Sequence, residues 1–502
     1  MVSAYKYGFA PRRLFRPAAL ILLAALGTAG CTGVMRERLG SRTPAGPGVQ
    51  WVPPPAAVTP AADTVSKTAG VPGEYLEDLR SLTLEQVVDI ALGNNPETRA
   101  SWAAARAAAA GLNSELGAYL PTLSASANVN RSSGSVAGGR FTYNQFVYGP
   151  SLSLSYLLFD FGKRGAEVES ARQALYSRNW THNATLQGVV LQVERAYFQY
   201  LYAKALFQAR EVTLREAEEN LEAAGQRQKA GLATVADVLQ ARTTRSQARL
   251  ALQDVEGRLK TIRGALATAM GLDPDLEYDT GFLPDELPAE AVSQTVDQLL
   301  AEAESRRPDL AAARSSALEA EARVRSARAD LFPSLSLSGS LGRDYFDSRD
   351  RYSDNKRAAI SLEVPLFSGF SNEHEVLKAE AEADQARERV QSLKQKVMLD
   401  VWTSYYELKT ASQRLETSRD LLASADESYQ VSLERYKAGA GSILELLSVQ
   451  AALEEARAQD VQARADWLLA IAQLAHDTGT LWSYDEKTGS PGAVQPEKEN
   501  MK

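Results

Sequence analysis

The sequence predicts a mainly α-helical, internally duplicated protein in which each half carries one pair of amphipathic β-strands. Three observations predict it. Matching segments recur at a fixed offset: Pro96 and Pro308 are 212 residues apart, while Phe159 and Phe367, Tyr197 and Tyr405, Gly231 and Gly439, and Gly271 and Gly479 are each 208 apart. Two long stretches, Pro150 to Pro274 and Pro365 to Pro491, contain no internal proline and step apolar residues by four and three, the period of a helix seam. After Pro121 and Pro333, and before those helix seams, apolar and polar residues alternate singly, the period of a strand.

The first residues read as a leader. Arg12, Arg13 and Arg16 precede the apolar run PAALILLAALGTAGC, which ends at Cys31. A short apolar core behind a cationic region and before small residues is the pattern of a secretory signal over 1–30. Thr28-Ala29-Gly30-Cys31 resembles a bacterial lipoprotein cleavage box, and Cys31 is the only cysteine, so Cys31 is the expected lipidation site. The following segment, 31–80, is rich in Pro, Gly and Ala and reads as a tether. The first repeat is expected over 81–272, a connection over 273–294, the second repeat over 295–480, and a polar tail over 481–502.

Each repeat reads in the same order. A helix over about 84–117, or 296–330, ends before Pro121 or Pro333, because proline restricts the residue before it. Two strands of about ten residues follow. In the first repeat Leu123, Ala125, Ala127 and Val129 alternate with Ser and Asn, and Leu152, Leu154 and Tyr156 alternate with Ser. In the second, Leu335, Leu337 and Leu341, then Ile360, Leu362 and Val364, repeat the pattern. The offset falls from 212 to 208 within this pair, so the second copy lacks four residues, expected to come from its loop. The polar stretches 131–149 and 342–357 are expected as those loops, exposed outside the cell.

The long helix comes next. Val189, Val193, Ala196, Tyr200, Ala203 and Phe207 form a seam matched by Val397, Val401, Ser404, Leu408, Ala411 and Leu415. A helix over 166–228 would span ~95 Å at 1.5 Å per residue. It stops at a turn that occurs twice, Lys229-Ala230-Gly231 and Tyr436-Lys437-Ala438-Gly439. The glycines supply the left-handed conformation of a helix stop. Thr234 and Ser442 then stand three residues before Asp237 and Glu445, the spacing of a capping box, so those acids read as caps, as gating groups, or as both.

Composition excludes several classes. The net charge is −8, which gives no basic field for nucleic acid. One cysteine and three histidines leave no intrachain disulfide and no Cys/His metal cluster, and no cofactor is expected. No phosphate loop, nucleophile elbow or zinc motif is present; the acids mostly alternate with Arg and Lys on helices, as on a solvated face. An enzyme is therefore not expected.

The strands set the remaining problem. Ten tilted residues cross a bilayer, and polar faces of Ser and Asn suit a water-filled lumen. Four strands cannot close into a barrel, and an open edge in lipid is prohibitively unfavourable, so two, three or four chains must share one. The duplicated order, Pro365-Leu-Phe-Ser-Gly369, Phe159-Asp-Phe-Gly162 and the paired turns resemble the TolC family of outer-membrane efflux proteins, in its lipid-anchored branch, over residues 80–480. The resemblance implies a homotrimer: a twelve-stranded β-barrel in outer-membrane lipid, continuous with a long periplasmic α-helical tunnel. It also implies small-molecule export with a periplasmic adaptor docking at the tip turns and an inner-membrane pump of the RND or ABC type. It places the aperture acids at Glu445 and at position 448, which is Ser448 here, and the aperture arginine at Gly441; the chain departs from the family at both of the latter. Two other readings remain: the outer-membrane channel of a type I protein secretion system, and a lipid-anchored periplasmic coiled-coil scaffold without a pore.

Overall fold

The computed structural model describes residues 79–136, 138–287, 294–346 and 351–481, together with 44, 46–51, 75, 483–484 and 491–492. The expected signal segment, Cys31, and most of the expected 31–80 tether and 481–502 tail lie outside the described residues, as does 288–293 of the connection.

The first repeat runs α1 (Leu84–Asn94), α2 (Pro96–Gly117), β1 (Thr122–Val136), β2 (Phe141–Phe159), α3 (Lys163–Lys229) and α4 (Val235–Ala269). The second runs α5 (Val296–Arg306), α6 (Pro308–Ala329), β3 (Ser334–Phe346), β4 (Arg351–Glu363), α7 (Ser371–Lys437) and α8 (Ile443–Thr478).

The expected single helix over 84–117 is two. Pro96 has no N–H to continue α1, and it opens α2 at its first position. Asn95 takes an extended conformation between them, and its side chain accepts from the Glu97 amide at 2.7 Å. Arg307 adopts the same conformation in the second copy, before Pro308. It lacks a side-chain cap, and its guanidinium instead bridges Asp309 (2.7 Å) and Asp400 (3.2 Å), tying the break to α7.

The strands also exceed ten residues, running to 15, 19, 13 and 13. They absorb most of the polar stretches expected as loops. Cross-strand polar pairs support the extension: Arg131 with Asn144 (3.2 Å), Arg343 with Asp354 (2.6 Å), and Asp344 with Asn355. The hairpins close from Val136 to Phe141 and from Phe346 to Arg351, with the same number of residues between. The four residues absent from the second copy are therefore not taken from its loop. Thr122 pairs with Ser155 and Ser334 with Glu363 at the bases, so each arm of the second hairpin is two residues shorter. Removing residues in pairs from both arms keeps every side chain on its own face; removing one would have turned a strand over.

The four strands form one antiparallel sheet in the order β1-β2-β3-β4, which leaves β1 and β4 as free edges. Below it, α3 and α7 each run for 67 residues, ~100 Å at 1.5 Å per residue. Phe161 and Phe370 take left-handed conformations at the strand-to-helix junctions (φ 51° and 65°), which turns the chain from sheet into helix at Phe159-Asp-Phe-Gly162 and Phe367-Ser-Gly-Phe370. The wall order is α4–α3–α8–α7, each packed on the next. The second-repeat seam, Val397, Val401, Ser404, Leu408, Ala411 and Leu415, is wholly buried. In the first, Val189, Val193, Tyr200 and Ala203 are buried and Ala196 and Phe207 half-buried. Midway along the wall, α1 packs on α3 and α5 on α7 and α8, and these shelves hold the two largest apolar cores.

Part of the expected tether is docked. Trp51 is buried edge-on to Trp180, with ring centroids 5.3 Å apart. Its amide donates to Asn183 Oδ1 and its carbonyl accepts from Asn183 Nδ2, both at 2.7 Å. His182, fully buried, donates from Nε2 to the Val49 carbonyl (3.0 Å) while Nδ1 meets the Ser101 hydroxyl (2.8 Å). Burial pushes its pKa down, so it stays neutral there.

The hairpin tips as candidate functional site

Both turns at the far end of the wall are built alike. After α3, the Gly231 amide donates to the Gln228 carbonyl and the Leu232 amide to that of Arg227; after α7, Gly439 donates to Tyr436 and Ala440 to Arg435. These paired bonds are the Schellman stop, and they require the left-handed residue at its centre: Gly231 has φ 71° and Gly439 φ 80°. Lys229, Ala230, Gly231, Lys437, Ala438 and Gly439 are exposed. Tyr436 is not. It is 3% exposed and lies among Tyr429, Ile443, Leu446 and Leu447. It fills the tip rather than presenting a docking surface, because its ring is the largest apolar group available where α7 turns into α8.

The two copies diverge at their acids. Thr234 and Asp237 form a complete capping box: the Asp237 amide donates to Thr234 Oγ1 (3.2 Å), and the Thr234 amide to Asp237 Oδ2 (2.7 Å). Ser442 accepts from the Glu445 amide (3.2 Å), but the Glu445 carboxylate does not return to the backbone. It pairs with Arg435 at 2.7 Å, with both side chains partly in solvent. Asp237 therefore caps, while Glu445 offers a charge. Ser448, one turn further along α8, is exposed. At Gly441 a Cβ would lie 3.3 Å from the Tyr436 nitrogen, so any side chain there would press on α7.

Sequence periodicity gave no notice of what joins the two hairpins. The Arg227 guanidinium stacks on the Tyr436 ring, 4.7 Å from its centroid, and donates to the Tyr436 carbonyl. Higher up, Asn220 donates to Gln450 (2.9 Å), and Arg457 holds Glu216 through two bonds of 2.8 Å. Arg210 pairs with Glu454. The seam between hairpins is thus polar near the tip, and it contains buried atoms without partners: Tyr436 Oη, Gln450 Nε2, and the Nε atoms of Arg210 and Arg227. Unsatisfied buried polar atoms weaken an interface. Burial pushes the Tyr436 and Tyr429 hydroxyls above their ordinary pKa.

The profile described as "Outer membrane efflux protein" matches residues 87–272 and 299–480. The chain belongs to that family. Among outer membrane efflux proteins and their relatives it is similar to Protein CyaE of Bordetella pertussis, 29% identical over 471 residues, covering 92% of this chain and 96% of that protein. It is also similar to the probable efflux pump outer membrane protein TtgC of Pseudomonas putida, 25% identical over 460 residues, covering 89% and 92%. Its fold matches the open state of the MtrE outer membrane channel of Neisseria gonorrhoeae with a TM-score of 0.67 at 23% identity, covering 86% of this chain and 98% of that one. Such channels combine a strand barrel with a helical tunnel, and the sheet and wall described above are one protomer's share. A coiled-coil scaffold without a pore is set aside by the membership and by the four-stranded sheet.

Proposed function

We propose that this chain is the outer-membrane channel of a tripartite efflux system, working as a homotrimer with a periplasmic adaptor and an inner-membrane pump of the RND or ABC type to export small molecules. The observation that carries the reading is the pair of free edges at each level: β1 and β4 in the sheet, α4 and α7 in the wall. Three copies close both at once, giving twelve strands above twelve helices, with no strand edge left in lipid. The exposed turns at Lys229–Gly231 and Lys437–Gly439, with Leu232, Val235 and Leu239 exposed beside the first, offer an apolar, cation-flanked surface for the adaptor. Purified protein should run as a heat-modifiable trimer and conduct ions in planar bilayers. A monomer that never conducts would refute the proposal.

The leader fits a lipid anchor at Cys31. From Cys31 to Pro44, whose carbonyl accepts from Trp102 Nε1 on α2 (2.7 Å), the chain reaches at most ~45 Å, enough to meet the membrane from there. Cys31→Ser should abolish acyl-chain labelling. An unlipidated mature N-terminus well downstream of Cys31 would rule the anchor out.

Threefold symmetry would bring three copies of Glu445 toward the pore axis, each beside its Arg435. Glu445→Gln keeps most of the side-chain shape but removes the charge. Single-channel recording should show a weaker cation preference and weaker block by divalent cations. Unchanged selectivity would leave Glu445 as an Arg435 partner only.

A further inference from the structure

We propose that the lipid-facing surface of the sheet carries a cationic belt, made chiefly by Arg131 and Lys356, that binds the phosphate of outer-leaflet lipid headgroups; this rests on the barrel reading above. The register sets which residues share the apolar face. Leu123 pairs with Leu154, Leu152 with Leu341, and Leu337 with Ile360. Following the alternation upward puts Arg131, Arg343 and Lys356 on that same face, two to four residues beyond its last leucines and alanines. Arg131 lies nine residues in from Thr122, Arg343 nine from Ser334, and Lys356 seven from Glu363. At ~3.4 Å per residue and a tilt of ~40°, that is ~18–24 Å above the strand bases, near the far edge of a ~25 Å apolar band.

Aromatic residues mark the same boundary. Tyr148, Tyr345 and Tyr352 share one rung; Tyr148 stacks on Tyr345 with centroids 5.5 Å apart, as in an interfacial girdle. Asp354 is the one carboxylate on this face among the described residues, and Arg343 holds it through bonds of 2.6 and 3.2 Å. Arg131 has a neutral partner, Asn144, and Lys356 forms no ion pair among the described residues. Two uncompensated cations per protomer therefore face lipid. They sit on β1 and β4, the free edges, so closure of the barrel places Arg131 of one protomer on the strand beside Lys356 of the next. A lipid brings its phosphate to this height with its acyl chains against Leu154, Leu337 and Ile360, nearer the strand bases on the same face. A free anion would have to leave water to reach it.

The test uses full-length trimer in phosphatidylcholine vesicles, with spin-labelled phosphatidic acid or spin-labelled phosphatidylcholine as probe. The motionally restricted fraction should favour phosphatidic acid by about fivefold to thirtyfold, the attraction expected of one to two basic residues at a membrane surface. Arg131→Gln with Lys356→Gln should remove the preference, and Arg131→Lys with Lys356→Arg should keep it. Soluble inorganic phosphate should not displace the label. Equal restriction of the two probes by the unmodified trimer, survival of the preference in the double glutamine variant, or displacement by inorganic phosphate would overturn the belt. Absence of any heat-modifiable trimer and of restricted lipid of either kind would instead overturn the barrel itself. Should the double variant fail to insert, the two single glutamine variants are compared, each expected to lose part of the preference.

Discussion

Tyr436→Ala should leave the channel's tip unable to stay shut. The ring fills the core where α7 turns into α8, and truncating a buried aromatic costs about 3–5 kcal/mol. The same change strips Arg227 of the ring it stacks on, an interaction worth about 0.5–2 kcal/mol, and so loosens one hairpin from the other. The rest of the wall should persist, because its larger cores lie around α1 and α5, far from the tip. The expected result is a higher single-channel conductance and entry of a bulky antibiotic that intact outer membranes exclude, with only a modest fall in the trimer's thermal stability. Tyr436→Phe is the informative control. Tyr436 Oη is buried without a partner, so removing it should be neutral or slightly stabilising. A closed, impermeable Tyr436→Ala channel would show that the tip is held by something else.

Arg457→Leu should destabilise the seam between hairpins by about 2–4 kcal/mol, because it leaves the Glu216 carboxylate desolvated and unpaired. The side chains keep 18% and 16% of their exposure, which places the effect below that of a fully buried pair. Glu216→Leu combined with Arg457→Leu should recover most of the loss, since two apolar groups of similar size need no partner. The readout is a double-mutant cycle on thermal unfolding, with hydrogen exchange in α3 and α8 as a local probe. If the double variant is as unstable as the single, the seam depends on packing and the ion pair contributes little.

Much of this protein is written in short-range pattern. Alternation put Leu123, Ala125, Ala127 and Val129 on one side of a strand, and steps of four and three put Val397 to Leu415 on one side of a helix; in both cases burial or register depends on neighbours only a few residues away. The 208-residue offset located both tip turns because a left-handed glycine has few substitutes. What remained hidden depends on partners far along the chain. Asn220 meets Gln450, Arg457 meets Glu216, and Trp51 meets Asn183, and no periodicity records such pairs. The break at Asn95-Pro96 was legible in principle, since proline at a first helical position ends the helix before it, but the apolar pattern continues across it. Asp237 and Glu445 occupy equivalent positions with equivalent spacing. Only side-chain geometry separates the cap from the carboxylate that pairs with Arg435. Arg227 had one signal: it and Arg435 match at the 208-residue offset, two residues before the shared Lys-Ala-Gly.

The shortened second hairpin has a bearing on the mouth of the channel. Two fewer residues per arm lower it by ~7 Å along the strand. In a ring of three protomers tall and short hairpins would alternate, so the outer opening would be crenellated, with three notches between three merlons. Water and departing cargo would meet side exits at the level of the notches before reaching the top, and anything meant to plug the mouth from outside would have to fit a toothed edge rather than a flat one.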